Sequence, residues 1–215
     1  MTVLKLYVEG GGESKELRTN CREAFARFLQ KSGMTGRMPR IVACGSRRNA
    51  FDSYRTAIAN GEMAVLLIDS ETPVLSEDQQ GSPDSWQPWH HLRRREGTGW
   101  VKPEAAVDQD CHFMVQCMES WIIADRAVLD KYFGSNFNPG ALPGEDRLIE
   151  KIEKREIFEA LRQATWQCRK QGRYDKTRHA FKLLAEVEPH RVIKFSPWAG
   201  RFIQELSSRM NSLLR

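Results

Sequence analysis

Met63-Ala64-Val65-Leu66-Leu67-Ile68-Asp69 stays apolar until its last residue. A strand with one face in water alternates apolar and polar side chains, whereas an unbroken apolar run needs cover on both faces, as in a parallel sheet packed between helices. Upstream, Arg47 to Asn60 puts Phe51, Tyr54 and Ile58 on one helical face and stops at Gly61. Before it, Arg40-Ile41-Val42-Ala43-Cys44-Gly45 lies just after Pro39 and reads as a second buried strand. Ser14 to Gly33 places Leu17, Cys21, Ala24, Phe25, Phe28 and Leu29 on one helical face, leaves Arg18, Arg22, Glu23 and Lys31 off it, and ends at a glycine. Leu4-Lys5-Leu6-Tyr7-Val8 is then the first strand. Strand, helix, strand, helix, strand predicts an α/β sheet with parallel strands and right-handed crossovers.

Downstream the pattern loosens. Residues 71–110 mix Pro, Ser, Gly, Trp and charge without periodicity and read as a long irregular insertion. Cys111 to Gln116 reads as a fourth strand and Met118 to Phe133 as a helix. After a turn-rich break at Pro139 to Gly144, Arg147 to Cys168 reads as a charged helix with Leu148, Ile152, Ile157, Leu161 and Ala164 inward. Thr177 to Val187 and Pro197 to Leu213 close the chain as helices. The expected fold is a mainly parallel sheet of about four strands flanked by helices. Residues 1–116 form its α/β core and 117–215 a helical C-terminal extension packed on that core.

With 215 residues, 28% charged and 40% apolar, the chain is long enough for a sizeable core. No apolar run approaches the ~20 residues that span a bilayer. Met1-Thr2-Val3-Leu4-Lys5 carries no signal-peptide pattern, so a cytoplasmic protein is expected. Five cysteines without a C-x-x-C pair are expected to be reduced and mostly buried. The net charge is +5, and the surplus is local: between Arg147 and Lys182 eleven Lys and Arg face five acids. A basic stretch suits a polyanion, although a solvated helical face would look the same.

The chemistry gathers at strand ends. Val8 is followed by Glu9-Gly10-Gly11-Gly12-Glu13-Ser14. The glycines allow a sharp turn and close approach of a ligand, and the turn puts Glu9 at the carboxyl edge of its strand, where open α/β sheets bind ligands. No G-K-[ST] follows, so this is not a phosphate loop of the Walker kind. Glu13 opens the next helix, where the helix dipole alone would favour an acid. Asp69 and Glu71, two apart on an extended backbone, point the same way at the same edge. Asp69 could equally cap the next turn. Four carboxylates on one edge need neutralising, which Mg2+ does with oxygen ligands. In the insertion, Trp86, Trp89 and Trp100 lie among Arg93, Arg94 and Arg95. That mixture suits base stacking and phosphate contact, or a flap pinned by its tryptophans.

The order Val8-Glu9-Gly10-x-x-Glu13, a strand–helix pair, then an apolar strand ending Asp69-x-Glu71 resembles the Toprim domain of topoisomerases, primases and repair or defence nucleases. Within it the chain looks most like the overcoming-lysogenization-defect nucleases and small stand-alone proteins of phage-defence operons. The resemblance covers Lys5 to Gln116, with Glu71 standing where the family usually carries a second Asp. It implies Glu9, Glu13, Asp69 and Glu71 as metal ligands for Mg2+ or Mn2+, with Glu9 also catalytic. Such nucleases use a later acid and a lysine, for which Glu119 and Lys176 are the candidates here. His179 is one turn beyond Lys176 and could share its face. Helix-start electrostatics would also explain Glu119, and an ordinary basic surface would explain Lys176 and His179. Arg173 and Arg178 join Arg93, Arg94 and Arg95 as candidate nucleic-acid contacts.

The expected activity is Mg2+-dependent hydrolysis of DNA or RNA, in phage defence. The alternatives are a subunit that works only with a partner such as an ATPase, since no nucleotide-binding loop is present, and a hydrolase of small phosphates.

Overall fold

The computed structural model describes residues 3–95 and 99–213. Its sheet has four strands, β1 (Lys5–Val8), β2 (Arg40–Ala43), β3 (Ala64–Asp69) and β4 (Cys111–Met114). All pair in parallel, in the order β2-β1-β3-β4. Val8 lies opposite Ala43 on one side and Leu67 on the other, and Asp69 lies opposite Met114. Every residue of β3 is buried, as its unbroken apolar run requires.

Alternate side chains feed two cores. Leu6, Val8, Val65, Leu67 and Met114 belong to one, with α1 (Lys15–Leu29). Tyr7, Leu66, Ile68 and Phe113 belong to the other, with α2 (Arg47–Ala59). Right-handed crossovers produce this arrangement when the step from β1 to β2 runs one way and the step from β2 to β3 runs back. Each helix begins on a serine whose hydroxyl accepts a first-turn amide: Ser14 from Leu17 at 3.1 Å and Ser46 from Asn49 at 3.2 Å.

The insertion before β4 carries α3 (Pro88–Arg94), and the C-terminal half carries α4 (Met118–Ile123), α5 (Arg126–Phe133), α6 (Lys154–Ala164), α7 (Lys176–Glu186), α8 (Pro189–Phe195) and α9 (Pro197–Ser212). α7 lies along α1, and α9 lies against β4. Trp121, Leu183 and Phe202 share one core with Val8 and Val65, so the C-terminal helices form one wall of the sheet's packing. Arg201 on α9 is buried and donates to the carbonyls of Pro83, Cys111 and Asp108 and to His112 Nδ1. All five cysteines are free and buried.

Several sequence expectations need correction. Residues 71–110, so far as they are described, run an irregular course that nevertheless holds one short helix, α3, and single turns at Ser76–Gln79, Pro83–Ser85 and Asp108–Asp110. Residues 96–98 of that insertion lie outside the described residues. Trp86 and Trp89 are buried, Trp86 against Trp198 and Trp89 against Tyr54, so neither is a base-stacking platform. Met118 to Phe133 is two helices, because the Asp125 carboxylate turns to accept the amide of Glu188 at 3.0 Å. The charged helix begins only at Lys154. Before it, the Glu150 carboxylate reaches the Ser196 hydroxyl and the Trp198 amide, and Leu148 is left exposed.

Candidate acidic metal site

β1 ends at Val8, and its amide ladder continues one residue further: the Glu9 N–H donates to Leu67 O at 3.0 Å. The backbones of Gly10 and Gly45 then pair, exchanging N–H···O bonds of 2.9 and 2.8 Å. A Cβ at Gly45 would sit 2.6 Å from Gly12 O, and one at Gly11 would sit 2.8 Å from Arg18 Cα. Both glycines also have positive φ, 79° and 89°. Only glycine lets the two loops approach this closely. Glu9 is thereby fixed over the neighbouring strand, where its Oε2 accepts the Asp69 amide at 3.0 Å. In this strand order the chain leaves β1 in one direction and passes to β3 in the other. Glu9 and Asp69 therefore flank the switch point, the crevice in which open α/β sheets bind ligands.

Asp69 is buried, and its Oδ1 accepts the Met118 amide at 2.9 Å. Glu71 holds a left-handed backbone, φ 69°, and donates its amide to Gln116 O at 2.8 Å. One oxygen each from Glu9, Asp69 and Glu71 lies within 4.8 Å of the others, a grouping able to hold a metal ion. The Lys154 ammonium stands 2.7 Å from Glu71 Oε2 and 3.8 Å from Asp69 Oδ2. Burial pushes the Asp69 carboxyl well above the usual range, and the charge of Glu9 adds to this. Burial also raises Glu9, opposed by the Asp69 amide and reinforced by Glu71. Burial pulls the Lys154 ammonium down, but Asp69 and Glu71 outweigh it and hold Lys154 above its ordinary value.

Glu119, at the start of α4, is fully buried behind this group. Its Oε1 accepts the Tyr174 hydroxyl at 3.2 Å and lies 3.5 Å from Lys176 Nζ, while its Oε2 is buried without a hydrogen-bond partner. Lys176 is pulled down by burial and raised more strongly by Glu119 and Asp69. A cavity of about 230 Å3 opens between Glu9, Gly11, Asp69, Met118, Lys176 and Phe181. The structure thus brings Glu9, Asp69 and Glu71 together, with Lys176 on the adjoining cavity and Glu119 buried behind it against Lys176.

Other candidates lie elsewhere. Glu13 is exposed just before the Ser14 cap and outside the three-carboxylate group. His179 is buried among Tyr132, Phe133 and Tyr174, and its Nδ1 accepts the Asp175 amide at 2.9 Å. Its ring serves the first turn of α7 rather than the acid cluster. Arg93 is exposed on α3, and Arg95 follows that helix half-buried. Arg94 is held in ion pairs with Glu77 and the buried Asp78. Arg173 lies over the Trp166 ring at 4.5 Å, and Arg178 is exposed on α7.

Two charged residues of the site are absent from the sequence reading. Lys154 sits at the first position of an amphipathic helix, and nothing local marks it as the partner of a residue 83 positions away. Arg47 follows Gly45-Ser46 at the end of β2. Its place beyond a strand-ending glycine, parallel to that of Glu9-Gly10, is the signal that could have found it.

The donor set fits a hard divalent cation. The three converging groups are carboxylates, whose oxygens suit such an ion. Residues 8–207 match the family described as a domain of unknown function, DUF4276, and the chain belongs to that family. No curated protein and no solved structure matches the chain. Among the described residues, no helix is long and apolar enough to cross a membrane.

Proposed function

We propose that this member of the DUF4276 family hydrolyses phosphodiester bonds of nucleic acid, with Mg2+ or Mn2+ held by Glu9, Asp69 and Glu71. The observation that carries the proposal is the convergence of these carboxylates at the switch point of a parallel sheet, with Lys154 and Lys176 beside them. A cation bound there would supply charge neutralisation and Lewis-acid polarisation of a phosphoryl oxygen. The chain's own residues divide the remaining work. The Met118 amide and the hydrogen bond from the Asp69 amide to Glu9 hold two of the carboxylates in place. Lys176, oriented by Glu119, offers a fixed positive charge to the negative charge that develops on phosphate. Glu9, fixed beside Asp69 by the bond from the Asp69 amide, is also the candidate proton acceptor. The Toprim resemblance implies the same reaction, and the basic stretch from Arg147 to Lys182 suits a polyanionic substrate.

A second reading has its own observation. Lys154 already bridges Asp69 and Glu71, so the isolated chain rests with its acids partly neutralised. A subunit activated only by a partner, such as an ATPase, would rest in this way.

The test is incubation of the pure protein with plasmid, single-stranded DNA and RNA in Mg2+, Mn2+ or EDTA. Metal-dependent cleavage that disappears in Glu9→Ala is expected. Cleavage that persists in EDTA or in Glu9→Ala overturns the proposal. Cleavage that requires a co-expressed partner selects the second reading.

A further inference from the structure

Arg47 is the first residue of α2, immediately beyond the β2 end that pairs with the Glu9 loop. It is 9% exposed, which is unusual for arginine outside an ion pair. Among the described residues it has no salt-bridge partner, and its Nη1 is buried without a hydrogen bond. Its guanidinium lies 4.9 Å from the centroid of the Trp100 ring, which is itself stacked on Phe51 at 4.3 Å. Arg47 stands between Gly45, which pairs with Gly10 beside Glu9, and Trp100 of the insertion, and its charge favours the ionised form of Glu9. A buried guanidinium with an unmet donor is costly to the fold unless something accepts from it. Among the described residues no hydrogen bond joins Arg47 to Glu9, whose Oε2 accepts the Asp69 amide. The first turn of α2 adds the positive end of a helix dipole at the same place.

We propose that Arg47 is an anion anchor that binds a phosphate group of the substrate on the β2 side of Glu9, opposite Lys154 and Lys176. This rests on reading the crevice as a phosphodiester site, and it adds a second phosphate position to it. Arg47, its guanidinium held over the Trp100 ring, would offer a planar fork of donors to a phosphate next to the one that reacts. A role confined to balancing the charge of Glu9 would be kept by Arg47→Lys, so the lysine variant separates that role from a fork-shaped phosphate contact.

Thymidine 3′,5′-bisphosphate and inorganic phosphate, titrated calorimetrically in EDTA, separate a strand phosphate from the free ion. Wild type, Arg47→Gln and Arg47→Lys are compared, and Mn2+ binding to each is followed by electron paramagnetic resonance. Arg47→Gln is expected to weaken bisphosphate binding by at least about tenfold, the loss of a charge-assisted hydrogen bond. Inorganic phosphate is expected to bind more weakly than the bisphosphate. Mn2+ binding is expected to survive in Arg47→Gln. Equal bisphosphate affinity in Arg47→Gln and wild type, or no bisphosphate binding by wild type, overturns the anchor. Should Arg47→Gln fail to fold, Arg47→Lys decides. It keeps the charge but loses the fork, so weaker bisphosphate binding supports the anchor and equal affinity overturns it. Arg47-dependent bisphosphate binding in a wild type that binds no Mn2+ would support the anchor while removing the metal.

Discussion

Asp69 has opposing demands on one side chain. The Met118 amide donates to one oxygen, and the other faces Lys154, yet burial and the charge of Glu9 still disfavour its ionised form. Its folded-state carboxyl therefore titrates well above the ordinary 3.8. For a raised acid the stabilising contribution is complete below the unfolded value and is lost as pH rises through the folded one. Metal-free Asp69→Asn, which keeps an oxygen for Met118 and removes the charge, is expected to melt at or above the wild-type temperature, by a margin that grows with pH. It is also expected to lose the response to Mg2+, which should stabilise wild type by about 2.7 kcal/mol at a concentration about a hundredfold above Kd. Thermal melts in EDTA and in Mg2+ across a pH series measure both effects. Lys154 acts in the opposite sense. Its ammonium holds the place of a cation between Asp69 and Glu71, so Lys154→Met should lower the metal-free melting temperature and raise Mn2+ affinity by about tenfold, as removal of one nearby competing charge allows. Calorimetric titration with Mn2+ measures the change, and a fall in affinity would make Lys154 a supporting residue instead.

The elements that build the crevice differ in how plainly the sequence announces them. β1 and β3 are legible because burial on both faces leaves their side chains little choice but to be apolar, and their ends follow from Gly10 and from Asp69. The start of α6 is not legible. Leu148 and Ile152 keep helical spacing, but Glu150 is drawn to Ser196 and Trp198 by contacts 46 and 48 positions away. The break between α4 and α5 has the same kind of cause, since Asp125 serves the amide of Glu188 across 63 positions. The glycine loops make a specific prediction at this scale. Gly45→Ala would drive a methyl into Gly12 O and part the Gly10–Gly45 pair. It should cost about 1–3 kcal/mol in urea unfolding and weaken Mn2+ binding, because Glu9 rides on that loop. Gly61→Ala shares a positive φ, 73°, but meets nothing within 4 Å, so it should cost less and leave Mn2+ binding unchanged.

Across the whole molecule, the sheet joins Glu9 to Asp69 across 60 positions, and the helical half supplies Lys154 and Lys176 to the same crevice. Glu9 and Asp69 could be read from the sequence because strand ends fix their direction, whereas Glu71 joins them from a left-handed backbone beyond the strand rather than from the extended one expected. Of the cations, Lys176 is reached only through the resemblance and Lys154 not at all, because its position depends on how α6 packs around the sheet, which no local periodicity encodes. Anomalous diffraction from crystals soaked in Mn2+ tests the cation site most directly. A peak among the carboxylates of Glu9, Asp69 and Glu71, with Lys154 displaced from Glu71, is the predicted result. Crystals that take up Mn2+ elsewhere, or that keep Lys154 against Glu71 at saturating Mn2+ with no peak in the crevice, would contradict it.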